Sequence, residues 1–113
     1  KVKTCAGVLA LRVDESLFFA NAQYLENFIL AAVAEKRTVK DVVLICSAIN
    51  AIDTSALESL ENLTADLSNA GVVLSLAEVK GSVRDRLRKT HLLDLLGKIY
   101  LSTHEAFTDL KCA

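Results

Sequence analysis

The residues with the most chemical potential stand together at Asp53-Thr54-Ser55. A carboxylate followed by two hydroxyls, just ahead of a helical apolar pattern, is chemistry for the start of a helix. Asp53 can accept a hydrogen bond from a free first-turn N–H. The unpaired N–H groups and the helix dipole at such an end favour negative charge. A phosphate on Thr54 or Ser55 would therefore be tolerated there, adding roughly −1.5 to −2 charge. Two roles fit these residues. One is a plain helix cap with two hydroxyls in its first turn. The other is a phosphorylatable helix N-terminus, formed by Asp53, Thr54 and Ser55, that binds an anion or a partner.

A second cluster is basic. Lys80, Arg84 and Arg88 follow four-residue spacing and share a face of a regular helix, with Arg86 and Lys89 beside them. Glu78 and Asp85 are their local counter-charges. A solvated helix face accounts for such a run. So does a docking surface for anionic lipid headgroups, for a nucleotide phosphate, or for an acidic partner such as a carrier protein.

Little else has catalytic spacing. His91 and His104 have no triad partner or metal spacing and read as surface or helix-end residues. Tyr24 and Tyr100 read as packing residues with a hydroxyl reaching water. Cys5, Cys46 and Cys112 form no C-x-x-C or Cys/His pattern, so neither a disulfide framework nor a zinc site is expected. Cys46 lies in an apolar run and reads as a buried thiol of a reduced compartment. Glycines at 7, 71, 81 and 97 are too scattered for a phosphate cradle. No cofactor, no metal and no enzymatic activity are expected.

These residues need elements to position them. Gly7 to Val13 read as a strand, Leu9, Leu11 and Val13 alternating with Val8, Ala10 and Arg12, and Asp14-Glu15 make a polar turn. Leu17-Phe18-Phe19-Ala20 reads as a short second strand, pairing with the first as a hairpin or continuing it. Asn21 is placed to cap a helix from about Ala22 to Lys36, with Leu25, Phe28, Ile29, Ala32 and Val33 on one stripe. Val42 to Cys46 is a continuous apolar run, suited to a parallel strand covered on both faces. Ala56, Leu57, Leu60, Leu63, Thr64 and Leu67 then share the face of a second helix, which Gly71 closes. Val72 to Ala77 is the next strand. Ser82 with Asp85 suggests a capping box for a third helix running to Gly97, with a break near Thr90-His91. Lys98 to Leu101 is a last strand, and Ser102 or Thr103 caps a last helix. Strands alternating with amphipathic helices imply an α/β fold with a mostly parallel sheet, an N-terminal β-hairpin and about four helices.

Composition sets limits. A chain of 113 residues suits one domain with a core of its own. With 52% hydrophobic and 24% charged residues it is globular, and a formal net charge of −1 argues against a nucleic-acid partner. No apolar stretch approaches the roughly 20 residues of a membrane helix. The chain opens on Lys1 and contains no Met, which reads as a segment of a longer polypeptide.

Two stretches carry a resemblance. Ile52-Asp53-Thr54-Ser55-Ala56-Leu57 resembles the D-S-S-G-L signature opening the second helix of STAS domains, the fold shared by anti-sigma-factor antagonists and SulP anion transporters. Arg12 to Ala22, with Glu15-Ser16-Leu17-Phe18-Phe19-Ala20-Asn21-Ala22 at its centre and Tyr24-Leu25 following, is similar to the segment opening the SulP versions. Soluble antagonists usually carry a polar G-E-L-D sequence near there. Two positions depart from the signature: Thr54 replaces Ser, keeping the hydroxyl, and Ala56 replaces Gly, adding a methyl where a partner would approach.

The resemblance implies an anti-sigma-factor-antagonist-like fold over 1–113. It implies a C-terminal cytoplasmic domain of a larger membrane transporter, at the inner face of the plasma membrane, modulating transport through contacts. Its partners would be the transporter's own transmembrane domain and an acidic regulatory protein or nucleotide. The membrane would be met through the parent protein. In soluble relatives the residue matching Thr54 is the phosphoacceptor. The alternative is a soluble anti-sigma-factor antagonist regulated by phosphorylation. A small flavodoxin-like or phosphotransfer enzyme is a third class, disfavoured by the missing phosphate loop.

Overall fold

The structure is a computed structural model and describes residues 2–5 and 7–110. Cys112 lies outside the described residues, as does the side chain of Cys5. In chain order the elements are β1 (Val2–Cys5), β2 (Val8–Arg12), α1 (Phe19–Glu35), β3 (Asp41–Ile45), α2 (Thr54–Asn69), β4 (Val73–Ala77), α3 (Gly81–Arg88), α4 (Leu92–Leu95), β5 (Ile99–Tyr100) and α5 (Thr103–Asp109). The five strands lie in sequence order across one sheet. β1 pairs antiparallel with β2, and β2 to β5 run parallel.

Sequential strand order has a consequence. Every crossover steps the same way, so crossovers of one hand put their helices over one face of the sheet. Leu9, Leu11, Val42, Leu44, Leu74 and Leu76 of that face pack with Ile29, Leu63, Leu67, Leu87 and Leu92 of α1 to α4. The opposite face carries smaller side chains, Val8, Ala10, Val43 and Ala77, with Tyr100. Among the described residues, α5 and its C-cap residue pack there, through Ala106, Phe107 and Leu110.

α2 is the central helix. The six residues Ala56, Leu57, Leu60, Leu63, Thr64 and Leu67 are all buried, as their spacing requires. Thr64 tolerates this because its hydroxyl donates to the Leu60 carbonyl at 2.6 Å. The helix ends in a Schellman motif. Gly71 takes φ +78, while Val72 N–H donates to Leu67 O at 2.8 Å and Gly71 N–H to Ser68 O at 3.0 Å.

Four expectations change. The hairpin is present, but its partner strand is Val2–Cys5 rather than Leu17–Ala20. Leu17 makes one parallel bridge, to Ile52, and the helix begins at Phe19. Asn21 therefore sits inside the first turn of α1 instead of capping it, and its Oδ1 accepts from Phe18 N–H at 2.7 Å. The α3 cap is Lys80, with no side-chain cap bond, so Ser82 and Asp85 form no capping box. Tyr24 is 74% exposed and packs little: α1 turns it outward, opposite buried Ile29 and Val33. The break near Thr90-His91 is real and splits the third helix into α3 and the single turn α4, making five helices among the described residues. Thr90 Oγ1 holds the break by donating to Leu87 O and accepting from Leu92 N–H.

Cys46 is buried, and burial pushes its thiol up to about 12. The thiolate is the reacting species, so native Cys46 is inert at neutral pH. With Cys5 and Cys112 replaced by Ser, an aromatic disulfide reagent at pH 8 should label Cys46 only as fast as the chain unfolds. Rapid native labelling would contradict the buried placement.

Two carboxylates hold α5 to the sheet. Glu78, in the left-handed region at φ +58, accepts from the N–H and hydroxyl of Thr103. Asp109 accepts from Tyr100 OH at 2.6 Å and Lys98 Nζ at 3.1 Å. These bonds lower both carboxyl pKa values. A lowered carboxyl pKa gives stability that is present above the ordinary value and lost as pH falls through the folded one. Asp41 and Glu26 are raised by burial and by nearby Asp109 and Asp66, so their contributions run the opposite way. Below about pH 4, amide exchange at 106–110 should therefore accelerate before exchange in β3 does. Simultaneous loss of protection in both would contradict the clamp.

Candidate functional site

In a parallel sheet the loops leaving the carboxyl ends of the strands gather at one end, and ligands favour that end. Here those loops are 13–18 after β2, 46–53 after β3 and 78–80 after β4. They frame a groove of about 450 Å³ lined by Phe18, Asn50, Ala51, Ile52, Asp53, Ser82, Val83 and Arg86.

Its frame is built by hydrogen bonds between the loops. Leu17 N–H donates to Ala51 O at 3.0 Å, and Asp53 N–H to Leu17 O at 3.2 Å. Ser16 Oγ accepts from the N–H groups of Asn50 and Ala51 at 3.2 and 3.1 Å. Asn21 Nδ2 returns to Ser16 O at 2.6 Å, tying the loop to α1. Lys80 Nζ donates to Asn50 Oδ1 from the third loop. Leu17 and Ala22 are buried beneath, at 2% each. The Glu15 to Ala22 stretch is thus the brace that sets the start of α2.

Asp53 caps α2, its Oδ1 accepting from Ala56 N–H at 2.8 Å. Such a cap contributes about 1 kcal/mol. Thr54 and Ser55 follow in the first turn, both exposed, and of the three only Asp53 lines the groove. Ala56 is fully buried, so its methyl packs inward and does not obstruct the groove.

The basic residues divide. Lys80 reaches the groove's rim through Asn50. Arg84 is half-buried, and its Nε is enclosed without a hydrogen-bond partner among the described residues. Arg88 is exposed, 3.7 Å from Asp85. Neither Arg84 nor Arg88 lines the groove. Arg86 does, and sequence reasoning set it aside. Ser82, Val83 and Arg86 lie one and four residues apart on one helix face, which was the available signal. Phe18, 51% exposed, was also missed as a lining residue. His91 and His104 are exposed and apart from the groove. Among the described residues no His, Cys, Asp or Glu group could hold a metal ion.

The groove thus offers an aromatic wall, an apolar floor of Ile52 and Val83, one cation and a helix start. That set can bind a partner. Among the described residues its lining pairs no nucleophile with a base, and the fold around it is α/β. A family model for the STAS domain matches residues 1–106, so the chain belongs to the STAS domain family. It is 33% identical over 115 residues to Probable sulfate transporter 3.4 of Arabidopsis thaliana, covering 92% of this chain and 18% of that protein. A sulfate transporter family protein of Wolinella succinogenes has the same fold, with a TM-score of 0.84 at 19% identity, covering 96% of this chain and 88% of that one. So does SpoIIAA of Bacillus, an anti-sigma factor antagonist in its unphosphorylated form. Its TM-score is 0.82 at 12% identity, covering 100% of this chain and 96% of that one. The chain spans under a fifth of the length of the curated sulfate transporters it matches. Among the described residues no helix is long and apolar enough to cross a membrane.

Proposed function

We propose that this chain is a regulatory and interaction domain of a SulP-type anion transporter, held at the cytoplasmic face of the plasma membrane. The observation that carries this is the homology to sulfate transporters along 92% of the chain. The domain folds over 1–113 as one unit, C-terminal to a membrane region that performs transport. The groove of Phe18, Asp53 and Arg86 takes a partner, and occupancy biases transport. The transporter's own transmembrane domain is the first partner, and an acidic regulatory protein or nucleotide the second. Thr54 and Ser55 are exposed and directly follow Asp53 of the groove, and a phosphate on either would change the charge there.

A second reading is a soluble anti-sigma-factor antagonist. It is favoured by the match to SpoIIAA, which spans nearly all of both chains. One experiment separates the two: antibody detection of the native product after fractionation. The transporter reading expects a detergent-extracted polypeptide several times the 12.2 kDa of this segment. Its domain would be cleaved by protease added to inside-out vesicles and protected in sealed cells. A soluble product near 12.2 kDa would overturn it.

A further inference from the structure

We propose that the outward side of α3, together with Leu95 of α4, docks on an anionic lipid surface. Residues 80–89 hold five cations and one carboxylate, a local net charge of +4 in a chain of formal net charge −1. Val83 and Leu87 turn inward and are buried, Arg88 and Lys89 are exposed on the outer arc, and Arg86, also exposed, lies on the flank between that arc and the groove. Their only ion pair among the described residues is Arg88 with Asp85 at 3.7 Å, and both side chains are more than half exposed. That carboxylate is too solvated to neutralise three cations. Lys80 is engaged by Asn50 and Arg84 is half-buried, so neither belongs to the docking set.

The arrangement selects the class of partner. Arg86 and Arg88 are two residues apart, about 160° around a helix of 3.6 residues per turn. They diverge and cannot close on one phosphate, which disfavours a discrete nucleotide. A layer of anionic headgroups needs only cation density on a convex surface. It also accepts an apolar side chain at its boundary. α4 supplies one: Leu92 is fully buried and anchors the turn, while Leu95 is 45% exposed three residues later. An acidic protein would meet the same charges, but it would leave Leu95 without a defined place. That a membrane lies within reach rests on the transporter reading above.

The test is co-sedimentation of the 113-residue chain with vesicles of phosphatidylcholine containing about a quarter phosphatidylserine. Binding is expected to those vesicles and not to phosphatidylcholine alone. It should weaken as salt shortens the Debye length from about 10 Å at 0.1 M to 3 Å at 1 M. R86E with R88E and K89E should lower the apparent affinity by about tenfold or more. These side chains are solvent-facing, so circular dichroism should match wild type. L95S is a second, uncharged variant and should weaken binding without altering the salt dependence. Equal partition to neutral vesicles, or full binding by the charge-reversed variant, would overturn the proposal. Absence of vesicle binding together with binding to polyglutamate would overturn it in favour of an acidic protein partner. The fractionation experiment is independent: a membrane-extracted parent with no lipid binding by this patch would sink only the lipid proposal.

Discussion

Replacing Leu17 by Ala should destabilise the domain by about 2–5 kcal/mol, whereas replacing its neighbour Phe18 by Ala should cost less than about 1 kcal/mol. Leu17 is 2% exposed and Phe18 is 51% exposed. Leu17 packs in one apolar core cluster with Leu44, Ile49, Ile52 and Leu60. Truncation removes its transfer free energy and leaves a cavity that packed neighbours close only in part. It also frees the bridge to Ile52 that sets the start of α2. Urea unfolding of the two variants measures both values. A loss below about 1 kcal/mol for Leu17→Ala would mean that the 13–18 loop is not seated on the core. The contrast matters for function. Two adjacent residues of the family-like motif do different work, one holding the groove and one lining it.

Gly97→Ala should cost about 2–4 kcal/mol, although it adds one methyl. A Cβ at Gly97 would stand on Val73 Cγ1 and 2.7 Å from Ser75 Oγ. Val73 is 45% exposed and can turn aside. Ser75 is 4% exposed, and its Oγ accepts from Lys98 N–H at 3.1 Å. Gly97 N–H also donates to Leu74 O at 2.8 Å, where β5 docks on β4. Relief therefore demands either overpacking strain or a broken hydrogen bond at that junction. Val73→Ala in the Gly97→Ala background should recover part of the loss, giving a non-additive double-mutant cycle. Additive losses would place the clash elsewhere.

Periodicity made much of the architecture legible. The α2 stripe, the buried β3 run and the Gly71 stop each depend on local spacing, and each stands where the pattern put it. The Leu17–Ala20 run misled because apolar and aromatic residues in succession read as a strand, whereas a single bridge from Leu17 and the Asn21 side chain turn the chain into α1. The true hairpin partner, Val2–Cys5, lay in a segment without strong alternation. Asp53 was legible as a cap because capping is local. The groove's other walls were not. Phe18 and Arg86 are separated by 68 positions in sequence and meet only through the sheet topology. The role of Gly97 was hidden for the same reason, since Val73 and Ser75 reach it from the neighbouring strand.

On the proposed transporter reading, the most direct measurement is uptake of sulfate, the substrate in the names of the similar proteins, by cells producing the full-length parent with Phe18→Ala and Arg86→Ala together. Both residues line the groove, and their side chains contribute little to the core. If the groove transmits regulation, uptake at equal membrane abundance changes by about fivefold or more, the low end of typical coupling between sites. Wild-type uptake from a folded, membrane-inserted double variant would contradict the claim that this groove controls transport.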